Sequence, residues 1–135
     1  PGRIVTFKLG GSAELPSPLD YLVVESPKAP LSGDHETWLV GMQRFAENCQ
    51  FCHGAYAISS GVIPDLRWSA ISASEDSWAA VVRDGALTAN GMVGFSDIIN
   101  DDEIEAIRLY VLRQAWLAVE NGTADEPELA AAVNQ

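Results

Sequence analysis

Both cysteines of the chain fall in one short run, Cys49-Gln50-Phe51-Cys52-His53. Two thiols separated by two residues and followed at once by an imidazole are the types and spacing that fasten a c-type haem. Each thiol adds across one vinyl group of the porphyrin to form a thioether. The two intervening residues let both sulfurs reach one edge of the macrocycle, and His53 is then held beneath the iron as proximal ligand. C-x-x-C without the histidine is shared with dithiol redox motifs and with halves of zinc sites. A structural zinc site needs four Cys or His ligands, and the chain offers only Cys49, Cys52, His53 and the distant His35. A thioredoxin-like site needs a strand–helix–strand frame, and no such pattern flanks the motif. The reading is one covalent haem c per chain, with zinc or dithiol chemistry as minor alternatives.

Six-coordinate iron needs a second axial ligand, and Met42, Met92 and His35 are the candidates. Met92 lies 39 residues after His53, within Asn90-Gly91-Met92-Val93-Gly94-Phe95. Its flanking glycines would let a loop bring backbone close to a flat cofactor. Met42 sits in a helical pattern, where filling core space is the expected role. His35 reads as an exposed histidine at a helix start. Met92 is therefore the expected iron ligand, the alternative being a loop methionine packed in the core.

The elements that must position these residues follow from periodicity. Val5, Phe7 and Leu9 alternate with Thr6 and Lys8, a strand signal ended by Gly10-Gly11. Residues 14–32 hold Pro16, Pro18, Pro27 and Pro30, the density of an extended linker. A first helix is expected from Ser32–Asp34 to about Asn48, with Trp38, Met42 and Phe45 as its apolar stripe. Gly41 interrupts it at a cost of about 1 kcal/mol relative to alanine, tolerable if another helix crosses there closely. A short helix is expected over 65–71, and another over Glu75–Asp84 with Ser74 as cap and Gly85 as stop. Residues 86–99 read as the loop carrying Met92. The last helix starts at Asn100 with Glu103 in a capping-box arrangement. It buries Ile104, Ile107, Val111 and Leu112 or Ala115, and fades near Ala118–Glu120. Residues 121–135 form an acidic, alanine-rich tail.

The 135 residues suffice for one compact domain with a real core. Eight Lys and Arg against 19 Asp and Glu give a net charge of −11. That balance argues against a nucleic-acid partner and against docking on anionic lipid. No apolar run approaches the roughly 20 residues of a membrane span. The chain opens Pro1-Gly2-Arg3, with no leader pattern.

Helix, C-x-x-C-H, short helices, methionine loop and terminal helix: this order resembles the class I cytochrome c fold over about residues 33–118. The expected class is all-α around covalent haem, with an extended N-terminal segment. In that family a glycine and an aromatic on the first helix cross an aromatic on the last, and Gly41, Phe45 and Tyr110 fit those places. The family's proline after the motif offers its carbonyl to the histidine ring, and Pro64 occupies the matching stretch. The flanks narrow the resemblance. Gly2-Arg3-Ile4-Val5-Thr6-Phe7-Lys8-Leu9-Gly10-Gly11 is similar to the closing propeller strand of quinohaemoprotein alcohol dehydrogenases. In those enzymes a pyrroloquinoline quinone (PQQ) propeller precedes a proline-rich linker and a cytochrome c domain. Ser60-Gly61-Val62-Ile63-Pro64-Asp65-Leu66-Arg67, Gly91-Met92-Val93-Gly94-Phe95 and Ala106-Ile107-Arg108-Leu109-Tyr110-Val111 resemble motifs of their haem domain.

The resemblance implies a division into a propeller-tail strand and linker (1–32), a cytochrome c domain (33–120) and a tail (121–135). It implies an isolated electron-transfer domain rather than an enzyme. PQQ, its calcium ion and the substrate pocket would belong to an absent parent domain. That PQQ dehydrogenase domain would donate electrons. Another redox protein or a quinone pathway would accept them, outside the cytoplasm in a bacterial periplasm. The negative charge would favour an acceptor with a basic docking face. Haem propionates need donors, and Arg67 and Trp78 are the candidates, with Trp68 competing. Tyr56 is expected in the core, the alternative being a reach into the haem pocket, and Gly54 is expected to relieve crowding where the chain leaves the haem. The rival readings are a free-standing cytochrome shuttle, a haem sensor or peroxidase-like protein, and a structural linker module with a vestigial haem.

Overall fold

The computed structural model describes residues 8–12, 26–59 and 63–123. Four α-helices form its frame: α1 (His35–Asn48), α2 (Gln50–His53), α3 (Glu75–Val82) and α4 (Asp101–Thr123). Single 3₁₀ turns at Ala55–Ala57, Leu66–Trp68, Ala70–Ala73 and Thr88–Asn90 shape the connections. Among the described residues there is no strand, which agrees with the all-α class expected from the helical patterning. Most of the expected N-terminal strand, the proline-rich stretch 13–25 and the tail 124–135 lie outside the described residues. Lys8–Gly11 is a turn, with the Gly11 N–H donating to the Lys8 carbonyl.

Local sequence chemistry sets the helix ends. Asp34 caps α1, its carboxylate accepting from Thr37 N and Thr37 Oγ1, each at 2.8 Å. Ser74 caps α3 by accepting from Ser77 N. Asn100 and Glu103 make the capping box of α4: Asn100 Oδ1 accepts from Glu103 N at 2.9 Å, and Glu103 Oε2 from Asn100 N at 3.1 Å. Asp101, Asp102 and Glu103 also place negative charge on the positive end of the helix dipole. Glu103 further binds Arg44 of α1, tying the two long helices at that end.

The core is the crossing of α1 and α4. Gly41 makes it possible: a Cβ there would stand 2.1 Å from the Ala106 carbonyl oxygen and 2.9 Å from Tyr110 Cβ. One turn along, the Phe45 and Tyr110 rings meet with centroids 5.4 Å apart, tilted by 48°. Ile104, Ile107, Val111, Leu112 and Ala115 are all buried, as the α4 periodicity predicts. The α1 stripe needs correction. Trp38 and Phe45 lie on it, but its centre is Gly41, and Met42 is 44% exposed rather than filling the core. A glycine contributes no hydrophobic signal, so the pattern drifts onto its apolar neighbour.

α3 packs on α4 through Trp78, whose buried Nε1–H donates to the Ile104 carbonyl at 3.1 Å. Arg108 is also buried; it pairs with Glu105 and donates from Nη1 to the Ser72 carbonyl at 2.9 Å, holding the Ala70–Ala73 turn against α4. On another face, the Trp116 indole donates to the Ala29 carbonyl at 3.0 Å and the Trp38 indole to the Ser32 carbonyl at 2.9 Å. The Arg113 guanidinium covers the Trp38 ring at 4.8 Å. The chain leading into α1 is thereby laced to the two long helices.

Candidate haem-binding site

α1 delivers the motif. Cys49 terminates it, with its N–H on the Phe45 carbonyl, and α2 follows as a single turn with the Cys52 and His53 N–H groups on the Cys49 carbonyl. Residues three apart on a helical turn share a face, which brings both thiols to one side. They are free thiols: Cys49 is buried among the core residues and Cys52 is exposed. Burial, reinforced by the neighbouring Cys52, pushes the Cys49 thiol up to about 11.

His53 is buried, and its Nδ1 is a buried polar atom with no partner at hydrogen-bonding distance. Burial lowers its proton affinity, and the Pro64 carbonyl works in the opposite sense. The result is a neutral imidazole beside the Pro64 oxygen, the protonation state that binds a metal. Pro64 is exposed, and the Ser59 hydroxyl donates to the carbonyl of Ile63 just before it. Immediately after the motif the backbone is left-handed at Gly54 (φ 75), Tyr56 (φ 58) and Ala57 (φ 62). Two non-glycine residues in that region store about 1–3 kcal/mol each. A Cβ on Gly54 would sit 2.1 Å from the Ile58 carbonyl oxygen, so the crowding it relieves comes from the chain's own reversal. Tyr56, expected in the core, is instead 63% exposed on that turn.

Met92 sits in the loop between α3 and α4, half-buried against the core together with Phe95. The Met92 N–H donates to the Leu87 carbonyl at 3.2 Å, and the Phe95 N–H to the Val82 carbonyl at 2.8 Å. Arg67 is buried in the turn that follows Pro64. Asp65 takes its Nε and Nη2 at 3.0 and 2.8 Å, and its guanidinium lies 5.2 Å over the Trp68 ring. Trp78 gives its indole proton to Ile104, so it has none to offer a propionate.

The donor set fits haem. A neutral buried imidazole and two unpaired thiols come from the run 49–53, and a half-buried thioether from the separate loop of Met92. Tyr56, Ile58 and Val93, on the stretches next to His53 and Met92, are exposed apolar groups that a flat hydrophobic cofactor would cover. Among the described residues, no cluster of three or more His, Cys, Asp or Glu side chains could hold a metal ion.

Comparison with known proteins agrees. A family model described as cytochrome c oxidase, cbb3-type, subunit III matches residues 36–111. The chain belongs to that cytochrome c family. Its cofactor is accordingly covalent haem c, and its chemistry is electron transfer. Among curated relatives, the chain is 36% identical over 115 residues to quinohemoprotein alcohol dehydrogenase ADH IIB of Pseudomonas putida, covering 84% of this chain and 16% of the relative. It is 41% identical over 116 residues to the dehydrogenase subunit of an alcohol dehydrogenase (quinone) of Komagataeibacter europaeus, covering 84% and 15%. It is 36% identical over 127 residues to a lupanine 17-hydroxylase (cytochrome c) of a Pseudomonas species, covering 87% and 17%. The cytochrome c domain thus spans about a sixth of the length of these relatives. No helix among its described residues is long and apolar enough to cross a membrane.

Sequence reasoning missed three features of the site: the left-handed turn at Tyr56 and Ala57, the internal bond of Trp78, and the lacing by Trp116. The first has no residue-type signature. The other two join positions 26 and 87 residues apart, beyond any local pattern.

Proposed function

We propose that this domain is the electron-carrying part of a PQQ-dependent alcohol dehydrogenase, with His53 and Met92 as the axial ligands of its haem. The observations that support the ligands are a buried His53 whose Nδ1 has no partner and a half-buried Met92 on a loop anchored by its own backbone. The parent activity rests on relatives named as quinone alcohol dehydrogenases, which align with most of this chain. Electrons would come from the PQQ dehydrogenase domain and leave to another redox protein or a quinone pathway, in the periplasm. Residues 1–32 would connect the two domains, 33–120 would form the cytochrome domain, and 121–135 its tail.

Bound haem supplies a one-electron couple. Cys49 and Cys52 anchor it on one helical turn. The Pro64 carbonyl, which favours a proton on the His53 ring, would accept that N–H once haem is bound and leave the other ring nitrogen for the iron. Met92 would contribute a weak thioether donor, which would favour the reduced state relative to a second histidine. With His53 and Met92 both holding it, the haem would exchange electrons without binding oxygen or peroxide, the property that separates a carrier from a sensor or peroxidase. Arg67, outside its fork with Asp65, has Nη1 to offer a propionate, and the bond of the Trp78 indole to the Ile104 carbonyl favours Arg67 for that role.

Optical spectra of the oxidised and reduced holoprotein test the ligands. The sulfur-to-iron near-infrared band should be present in the native protein and absent in Met92→Ala. The reduced native protein should refuse carbon monoxide. A high-spin spectrum, or a band indifferent to Met92→Ala, overturns the assignment. Rapid reduction by the dehydrogenase part of the parent, with alcohol as substrate, tests the donor. A domain reduced no faster with that partner than without it would favour a free-standing shuttle.

A further inference from the structure

The loop that carries Met92 is closed by its own backbone. After α3 the chain turns at Gly85 (φ 70). It returns at Phe95, whose N–H is bonded to the Val82 carbonyl at 2.8 Å. At this neck two glycines face each other. A Cβ on Gly94 would lie 2.8 Å from the Arg83 carbonyl oxygen and 3.0 Å from the Gly85 nitrogen. One on Gly85 would lie 2.9 Å from the Gly94 nitrogen and 2.7 Å from Thr88 Oγ1. Most of these obstacles are main-chain atoms that cannot rotate aside. Inside the loop, Thr88 donates to the Gly85 carbonyl from N at 2.9 Å and from Oγ1 at 2.7 Å. Gly91 N–H and Met92 N–H then bond the Thr88 and Leu87 carbonyls. The flanking glycine at 94 therefore serves an approach of backbone to backbone, not the approach to a flat cofactor that its place beside Met92 suggests.

We propose that Gly85 and Gly94 are positioning residues for Met92: their close apposition presets the loop, so the durability of the methionine–iron bond is decided at the neck. The proposal rests on the reading of Met92 as sixth ligand. A thioether is a weak ligand, and a loop ordered only by that bond would lose its conformational freedom at the moment of ligation. A neck closed beforehand removes that cost from the bond.

The test uses the holoprotein. Gly94→Ala should lose most of the sulfur-to-iron band at room temperature, and its reduced form should bind carbon monoxide at least about tenfold faster than the native protein. Ile98→Ala, exposed on the same loop but off the neck, should keep the native band. So should Gly41→Ala, which crowds a different helix crossing. A native band and native carbon monoxide refusal in Gly94→Ala overturn the proposal. Failure of the ligand reading looks different, because the band then survives Met92→Ala. A second measurement does not depend on Gly94→Ala folding. Amide exchange of Phe95 should stay slow in Met92→Ala, since the neck holds without the iron bond; fast exchange there would show that the iron holds the loop and would overturn the proposal.

Discussion

Replacing Gly41 by alanine sets two effects of known size against each other. In an isolated helix the change gains about 1 kcal/mol, because glycine gives up more backbone freedom on folding. Here the new Cβ would meet the Ala106 carbonyl oxygen at 2.1 Å and its carbonyl carbon at 2.6 Å. Van der Waals contact then requires α1 and α4 to part by about 1 Å, a gap that forfeits a quarter to a half of the dispersion energy of the atoms lining it. The Phe45–Tyr110 ring contact at 5.4 Å lies one turn away and would loosen with it. Overpacking a close-packed core costs about 1–3 kcal/mol, and an obstacle made of main chain belongs at or above the top of that range. The net expectation is a loss of about 2 kcal/mol, or a melting temperature lower by roughly 5–10 °C for a domain of this size. Thermal and urea melts of the holoprotein, followed by far-ultraviolet circular dichroism and by the Soret band, measure it. Ala106→Gly should give no rescue, since the clash is with a peptide oxygen that every residue carries. An unchanged or higher stability for Gly41→Ala would refute the crossing argument and leave only helix propensity.

Trp116→Phe removes one hydrogen bond to the Ala29 carbonyl. It should cost about 1 kcal/mol and speed tryptic cleavage after Lys28. Trp78→Phe should destabilise by about 1–2 kcal/mol through the lost Ile104 bond, yet leave the reduction potential unchanged. A shift in potential would return Trp78 to the haem. The Thr37 N–H, then the Thr37 hydroxyl, hold the Asp34 carboxyl below the usual carboxylate range. Its folded value lies below its unfolded one, so its contribution is complete above about pH 4 and fades as pH falls through the folded value. Asp34→Asn keeps the cap and should remove that part of the acid dependence, read from urea midpoints against pH.

The features legible in the sequence are those written in local chemistry. The haem motif, the caps at Asp34, Ser74 and Asn100, and the buried face of α4 each depend on residues within a turn or two of one another. Met42 shows the limit on α1. Periodicity counts apolar side chains, while the closest contact of that helix is made by Gly41, which has none. Gly94 shows the limit in the loop. Its type signals a close approach, and the approach made is to Gly85 and Arg83, partners that its position beside Met92 does not announce. Tyr56 and Ala57 adopt a left-handed turn that neither residue type announces, because the fold around them dictates it. The proline-rich lead-in to α1 carries no sign of the two indoles that hold it.

That lacing joins Ala29, before the first helix, to Trp116, near the end of the last. The chain leading into α1 and the last third of α4 are therefore neighbours in space, although 87 residues of chain separate the two partners. A unit whose ends adjoin can be carried within a longer polypeptide as a cassette, entering and leaving at one point without stretching its host. Joining the ends through a short connector and opening the chain elsewhere should, for the same reason, preserve the packing of α1 against α4. The two tryptophan bonds make this small haem unit portable.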